Sequence, residues 1–186
     1  MLNNQKGANA GRDLVGRDKV ENNYFYASPG GSAKVDKLKA KLQQEIDQKR
    51  QVIALIDRLK SYQPVEPEDG IKGLEAKLEK AGRSPQKLSA LRMKERFAKL
   101  LERWSLYGSA QEIFVHVLAL AELRFTTSIY PHVGNLDDIQ IDEMVEQKIL
   151  TPIVEEIGVE VFSMDHMEAM GMIYWLAEQC RIRWHQ

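Results

Sequence analysis

The spacing of apolar residues predicts helices over most of the chain after residue 31. From Val35 to Leu59, apolar side chains recur every three, four or seven residues, which predicts one long amphipathic helix over residues 32–62. The pattern fits two interpretations equally, a coiled-coil-like stalk and a helix packed on its own domain. Two prolines and a glycine in residues 63–70 end this helix, so we expect a linker there.

Residues 71–186 carry the start and stop signals of several further helices and are expected to form a helical C-terminal domain. Gly82 closes a short helix, and Ser84-Pro85 opens the next one. The capping-box pattern Ser109-x-x-Glu112 precedes a helix over residues 110–125 that has almost no polar positions. A helix that is apolar on all sides belongs at the centre of a bundle.

The end of the chain continues the same pattern. Pro152 predicts a kink in a helix that ends at Gly158, and Asp165-x-x-Glu168 is a second capping-box start. Residues 180–186 follow the last helix and predict a short strand or a docking segment. We refer to them as the C-terminal tail.

Residues 1–31 contain a five-residue repeat, Gly-Arg-Asp-Leu-Val followed by Gly-Arg-Asp-Lys-Val. Glycine allows a corner, aspartate bonds to nearby amides and valine points inward, so each repeat predicts a tight turn and a minimal strand. So few units cannot bury a core alone, which favours an oligomerisation tip, with a trimer as first guess. A disordered Asn/Gly-rich leader is the alternative. The residues expected to form the tip are Gly11, Asp13, Val15, Gly16, Asp18 and Val20.

These elements predict a mainly α protein, in which a helical bundle domain follows a long helix and a short β-rich N-terminal oligomerisation repeat. The 186 residues have a net charge of −1, so the whole chain has no polybasic character. Cys180 is the single cysteine, which excludes an internal disulfide and favours a reducing compartment. The polar first residues lack a signal sequence, and no long apolar run suggests a membrane span. We therefore expect a cytoplasmic protein.

The sequence carries no recognisable catalytic or metal-binding motif. An enzyme would need His116, His166 or Cys180 to converge with carboxylates in space, and their spacing does not predict this. The other histidines, His132 and His185, are equally isolated. We therefore expect no catalytic residues, no metal site, no cofactor and no enzymatic activity.

Charge is segregated along the chain. Residues 135–170 contain ten acids and one base, whereas residues 34–60 carry eight bases and four acids, and residues 85–107 carry six bases and two acids. The favoured interpretation is that the basic helices meet the acidic region of the same or a neighbouring subunit. The alternative is a nucleic-acid-binding sensor that uses the basic helices 34–60 and 85–107.

Aromatic and basic residues are concentrated near the end of the chain. Trp104 is expected in the core, whereas a terminal tail is ordered only when something holds it, which favours a subunit or partner contact for Trp184. The residues predicted to bind a partner are Tyr174, Trp175, Arg181, Arg183 and Trp184.

Residues 171–185, Gly-Met-Ile-Tyr-Trp-Leu-Ala-Glu-Gln-Cys-Arg-Ile-Arg-Trp-His, and the preceding segment from Ile149 to Gly158 resemble the C-terminal domains of bacterial ABC-three-component systems. The resemblance covers about residues 71–186. It implies a small helical domain in a predicted antiviral defence system, which links an effector or sensor to an ABC-type ATPase and a middle component. Many members fuse this domain to an enzyme, and here only the repeat and the long helix precede it.

Taken together, the residues and the resemblance predict a non-enzymatic, homo-oligomeric adaptor. It would present several copies of its helical domain to partner proteins and so multiply weak contacts.

Overall fold

The computed structural model describes residues 32–158 and 162–186, and these residues form a mainly helical domain. The predicted β-rich tip and its residues between Gly11 and Val20 lie outside the described residues. The α-helices are α1 (Ala33–Asp47), α2 (Asp57–Lys60), α3 (Gly73–Lys80), α4 (Lys87–Trp104), α5 (Gly108–Arg124), α6 (Asp138–Val145), α7 (Thr151–Ile157) and α8 (His166–Glu178).

Helix α5 is the central helix that the sequence predicts over residues 110–125. Its buried side chains cover more than one face of the helix, and it contacts α1, α2, α4 and α8. The predicted Ser109 capping box does not form. Instead, the Glu45 carboxylate of α1 accepts hydrogen bonds from the Ser109 backbone N at 3.1 Å and the Ser109 Oγ at 2.9 Å. A carboxylate from another helix thus accepts a hydrogen bond from a free backbone N–H group in the first turn of α5.

The continuous helical stretch Gly108–His132 is long and apolar enough to cross a membrane by length and composition. A central core helix meets the same criteria, and 44% of the relevant window is buried inside the domain. Its position therefore explains its hydropathy.

Helix α1 is shorter than the sequence predicts. Ser32 caps its start by accepting a hydrogen bond from the Val35 backbone N, and the helix ends at Asp47. The single helix expected over residues 32–62 is therefore corrected to α1 and α2, which an irregular segment joins.

Contacts with α5 and its preceding turn hold that segment out of helical conformation. Gln111 of α5 accepts a hydrogen bond from the Ile56 backbone N at 2.6 Å and donates one to the Ala54 carbonyl at 3.2 Å. The Val52 backbone N donates to the Leu106 carbonyl at 2.8 Å. These bonds replace the helical ones that the predicted helix would make.

The apolar stripe of α1 packs on its own domain. Val35, Leu38 and Leu42 are buried, and Leu38 and Leu42 belong to the same core as the helices after residue 70. Of the two interpretations left open by the sequence, the structure shows the intradomain packing.

Several end signals are confirmed. Gly82 and Gly158 have positive φ angles of 74° and 69° beyond the ends of α3 and α7. Asp165 and Glu168 form both hydrogen bonds of the predicted capping box at the start of α8. A π-helical turn, Glu146–Leu150, interrupts the helix immediately before Pro152, where the sequence predicts a kink.

The close crossing of α4 and α8 organises the domain. A Cβ atom on Gly171 of α8 would lie 2.2 Å from the Met93 carbonyl oxygen of α4, so the two backbones approach closely at this point. Beside the crossing, the Phe97 ring packs edge-on against Phe114 and Trp175. Only glycine permits this helix separation.

We predict that Gly171→Ala lowers the free energy of unfolding by about 3 kcal/mol, because the added methyl group collides with backbone that cannot rotate away. Urea denaturation measures the change. Gly108→Ala is the matched control, since a Cβ there meets its nearest atoms at 3.9 Å. It should alter stability by no more than about 1 kcal/mol, in the stabilising direction. Equal effects of both variants would contradict the close crossing.

Candidate functional site

The C-terminal tail begins with a sharp reversal of the chain. Cys180 has a φ angle of +61°, and the Arg181 backbone N donates a hydrogen bond of 2.9 Å to the Leu176 carbonyl of α8. This is the arrangement in which a left-handed residue, usually glycine, ends a helix. The tail therefore turns back along the domain.

Buried Lys77 of α3 holds this reversal in place. Its Nζ donates hydrogen bonds to the Ala177 carbonyl at 2.6 Å and to the Ile182 carbonyl at 3.0 Å. Burial lowers the pKa of the Lys77 ammonium, while the neighbouring Cys180 opposes the shift. One side chain thus joins the last turn of α8 to the tail.

The end of the tail lies in the core. Trp184 is buried, and its ring packs against Phe125 and Tyr174 with centroid distances of 5.1 and 5.9 Å. The Arg83 guanidinium lies over the same ring at 4.7 Å. Burial also raises the pKa of the Tyr174 hydroxyl to about 12.

The partner contacts predicted for Tyr174 and Trp184 are corrected by this packing. Both side chains fill the interior of their own subunit, which is the physical reason the terminal tail is ordered. Trp175, by contrast, is half-buried and keeps an accessible edge.

Two tail arginines remain partly exposed. The Arg181 guanidinium lies 4.9 Å from the Tyr62 ring centre, and Arg181 forms an ion pair of 3.6 Å with Glu122. The Arg183 guanidinium lies 5.0 Å from the Tyr130 ring centre. Stacking on aromatic rings restricts the conformations of both guanidinium groups.

Asp69 of the linker fastens the tail to the rest of the domain. Its carboxylate lies 2.9 Å from His185 Nε2 and 3.3 Å from Arg183 Nη1, and it also accepts a hydrogen bond from the Ile71 backbone N. The backbone hydrogen bond first, and then the hydrogen bond with His185, lower the pKa of Asp69 to about 2. Asp69 is therefore ionised at neutral pH.

A cleft of about 350 Å³ opens between the linker and the tail, and we call it the tail cleft. Phe125 and Lys77 lie among its lining residues, and Thr126 and Tyr130 border it from the segment after α5. Its charged lining comes from both sides, namely Glu66, Glu68, Asp69, Arg181 and Arg183. Such a lining suits a polypeptide segment that offers both polar and apolar groups.

The candidate catalytic residues His116, His166 and Cys180 each contact a different partner. His116 Nε2 lies 2.9 Å from Glu156 Oε1, and His166 Nε2 lies 3.3 Å from Thr151 Oγ1. The Cys180 Sγ approaches the Glu178 carbonyl at 3.8 Å. Within residues 32–158 and 162–186, no group of three or more histidine, cysteine or acidic side chains is arranged to hold a metal ion.

Some of the expected charge complementarity occurs within one subunit. Arg83 forms ion pairs with Asp138 at 3.1 Å and Asp142 at 2.6 Å, and Arg96 of α4 pairs with Glu168. Of these pairs, the one between Arg96 and Glu168 joins the basic segment 85–107 to the acidic region, whereas Arg83 lies just before that segment.

Sequence reasoning missed Lys77 and Asp69. Lys77 lies three residues after the buried Leu74 and directly before the buried Leu78, so a charge beside an apolar stripe was the available signal. Asp69 stands between prolines and a glycine and gave the pattern of an ordinary turn.

We predict that Asp69→Asn lowers the free energy of unfolding at pH 7 by about 1 kcal/mol, because asparagine can keep the turn but loses the charge facing Arg183 and His185. The ordinary pKa of 3.8 is lowered in the folded state, so this contribution is present above pH 4. It is lost as the pH falls towards 2. Urea titrations across this range measure the difference.

Glu68→Gln is the matched control, because the Glu68 side chain is 90% exposed and lies 3.9 Å from Arg183. It should leave the stability nearly unchanged at every pH. A constant difference between the wild type and Asp69→Asn from pH 7 to pH 2 would contradict the assigned role of the charge.

Comparison with known proteins identifies the family of this domain. No curated protein and no solved structure matches the chain. Residues 73–184, more than half of the chain, match the model of the family described as C-terminal domain 9 of the ABC-three component (ABC-3C) systems. The match begins at α3 and ends at the buried Trp184, so it contains α3–α8 and most of the tail, and it confirms the resemblance seen in the sequence. The chain therefore belongs to the family of C-terminal domain 9 of the ABC-three component systems.

Proposed function

We propose that this chain is a non-enzymatic, homo-oligomeric adaptor of an ABC-three-component-like defence system and acts in the cytoplasm. Its helical domain is presented to partner proteins, and the tail cleft is the surface that engages them. Membership of a multicomponent family supports a protein partner. An ABC-type ATPase and a middle component are the partners that we expect.

The observation that carries this proposal is the pair of stacked arginines at the tail cleft. Arg181 and Arg183 line the cleft, and each guanidinium is held over a tyrosine ring. Arginine held in this way loses little conformational entropy when a partner binds, and arginine and tyrosine are common at the centres of protein interfaces. The cleft is thus prepared for a polypeptide ligand.

Several copies of such a domain on one assembly would strengthen a weak contact through avidity. We assign the assembly step to residues 1–31, with Gly11, Asp13, Val15, Gly16, Asp18 and Val20 at its centre and a trimer as the first guess. The repeat in this segment supports the assignment.

The nucleic-acid alternative has less support. Lys87, Lys94 and Arg96 of the basic segment 85–107 form ion pairs with Glu75, Glu178 and Glu168. Carboxylates that already face these bases would compete with phosphate groups.

We predict that Thr126→Arg reduces co-purification with the ABC-type ATPase or the middle component by about ten-fold or more, because a long charged side chain would enter the tail cleft. Thr126 is exposed, and its Oγ1 donates only to the Glu122 carbonyl, so the substitution leaves the fold intact. The measurement is a pull-down of co-expressed components with the full chain, with thermal unfolding of each variant alongside.

Thr127→Arg is the matched control. Thr127 is equally exposed and bonds to the Leu123 carbonyl in the same way, but it is not a lining residue of the tail cleft. Equal binding by both variants would refute the tail cleft as the partner site.

A further inference from the structure

The irregular segment between α1 and α2 presents apolar side chains to solvent among basic residues. Ile53 is fully exposed, and Val52 and Leu55 are more than one-third exposed. Residues 48–60 carry four bases, Lys49, Arg50, Arg58 and Lys60, against one acid, Asp57. We call residues 48–56 the basic loop. An exposed apolar surface of this kind marks an interaction site.

An apolar groove lies beside the basic loop and shares no lining residue with the tail cleft. Its volume is about 350 Å³, and it opens between α2, the linker, α4 and α8. Glu102 and Lys60 contribute charged groups to its lining, and Lys60 also forms an exposed ion pair of 3.1 Å with Asp57. The larger apolar side chains that line it are Leu55, Leu59, Tyr62, Pro64, Leu101 and Trp175. Trp175, which the sequence predicts as a partner contact, is therefore part of this groove.

Helix α6 presents the complementary chemistry on the same chain. Ile139 is 72% exposed, which is the largest exposed fraction among the large apolar side chains on the described helices. Glu143 lies one helical turn further on the same face, and Glu146 follows at the end of α6, both of them exposed. An isolated apolar side chain thus projects from an acidic surface.

We propose that Ile139 of one copy inserts into the apolar groove of a second copy, with the acidic face of α6 against Lys60 and the basic loop. The proposal rests on the homo-oligomeric function proposed above and names a contact between its copies. Two observations select this occupant over other proteins and over lipid: the exposed apolar residue matches an apolar groove, and the charges around the two are opposite.

The proposed contact between copies would also give ion-pair partners to charged side chains that have none within the described part of the domain. Among the described residues, the exposed charged side chains that have no ion-pair partner within 4 Å include Lys49, Arg58, Glu143 and Glu146. Arg83 and Arg96, by contrast, are paired. Ile139 and the apolar groove lie on different elements, so the contact has two forms. A reciprocal contact closes into a two-fold dimer, and a head-to-tail contact closes into a ring or extends into a chain of copies.

A charge exchange tests this contact on the full chain. Lys60→Glu and Glu143→Lys each place like charges across the contact, so each variant alone should associate about ten-fold more weakly than the wild type beyond the oligomer assigned to residues 1–31. In an equimolar mixture, every junction between unlike copies again joins opposite charges. The mixture should therefore recover the self-association of the wild type, measured by sedimentation velocity over a range of concentrations at low salt.

The apolar part of the contact has its own test. Ile139→Asp should weaken self-association by at least the same factor, whereas Leu88→Asp should not change it, since Leu88 is 61% exposed and lies outside both surfaces. A photo-crosslinking residue in place of Ile53 should join one copy to residues 137–146 of another, as mixed isotope-labelled and unlabelled chains would show by mass spectrometry.

A mixture as dissociated as its components, or a crosslink to other residues or to no second copy, would overturn the proposal. Binding of anionic vesicles that Lys60→Glu abolishes, without a crosslink to α6, would assign the basic loop to lipid instead and would overturn it too. Failure here is distinguishable from failure of the proposed function, because the Thr126→Arg pull-down tests the tail cleft, which shares none of these residues.

Discussion

The close approach of α4 and α8 at Gly171 is the constraint on which the rest of the domain depends. With the Met93 carbonyl directly opposite the glycine, the two helices pack backbone to backbone and leave no room for adjustment along their contact. Further along the chain, α8 ends at Glu178 and Cys180 then reverses the chain direction. The crossing also forms one wall of the apolar groove, to which α4 contributes Leu101 and α8 contributes Trp175.

Two polar side chains, buried Lys77 and the more exposed Asp69, then fix the C-terminal tail beside the end of α8. Lys77 bonds to carbonyl groups on both sides of the reversal, and Asp69 holds His185 and Arg183. Each of these contacts joins segments about 100 residues or more apart in the chain, so the tail cleft exists only in the folded domain. Partner binding at this cleft would consequently report on the integrity of the whole domain.

Local signals in the sequence predicted much of the fold. Gly82, Gly158 and the Asp165 capping box mark helix ends through interactions with their near neighbours, and the apolar residues of α5 identify the central helix. These features depend on a few adjacent residues, which is why a pattern in one sequence is sufficient to find them.

The errors came from contacts between distant residues. The side chain of Gln111 holds the backbone near Ile56 out of a helix, and Glu45 takes the place of the Ser109 cap. Whether Trp184 faces a partner or the core likewise depended on Phe125 and Arg83, which lie far away in sequence. Partner binding by Arg181 and Arg183 stays a prediction, whereas the role of Lys77 needed the fold.

The central claim is that residues 1–31 assemble several copies of this family domain into one adaptor. The most direct test is the solution mass, by light scattering, of the full chain beside a chain that begins at Ser32 and so keeps the cap of α1. High salt is used because it screens the charged contact of α6. The account predicts a defined oligomer for the full chain and a monomer for the shortened one. Equal masses for the two chains would contradict it.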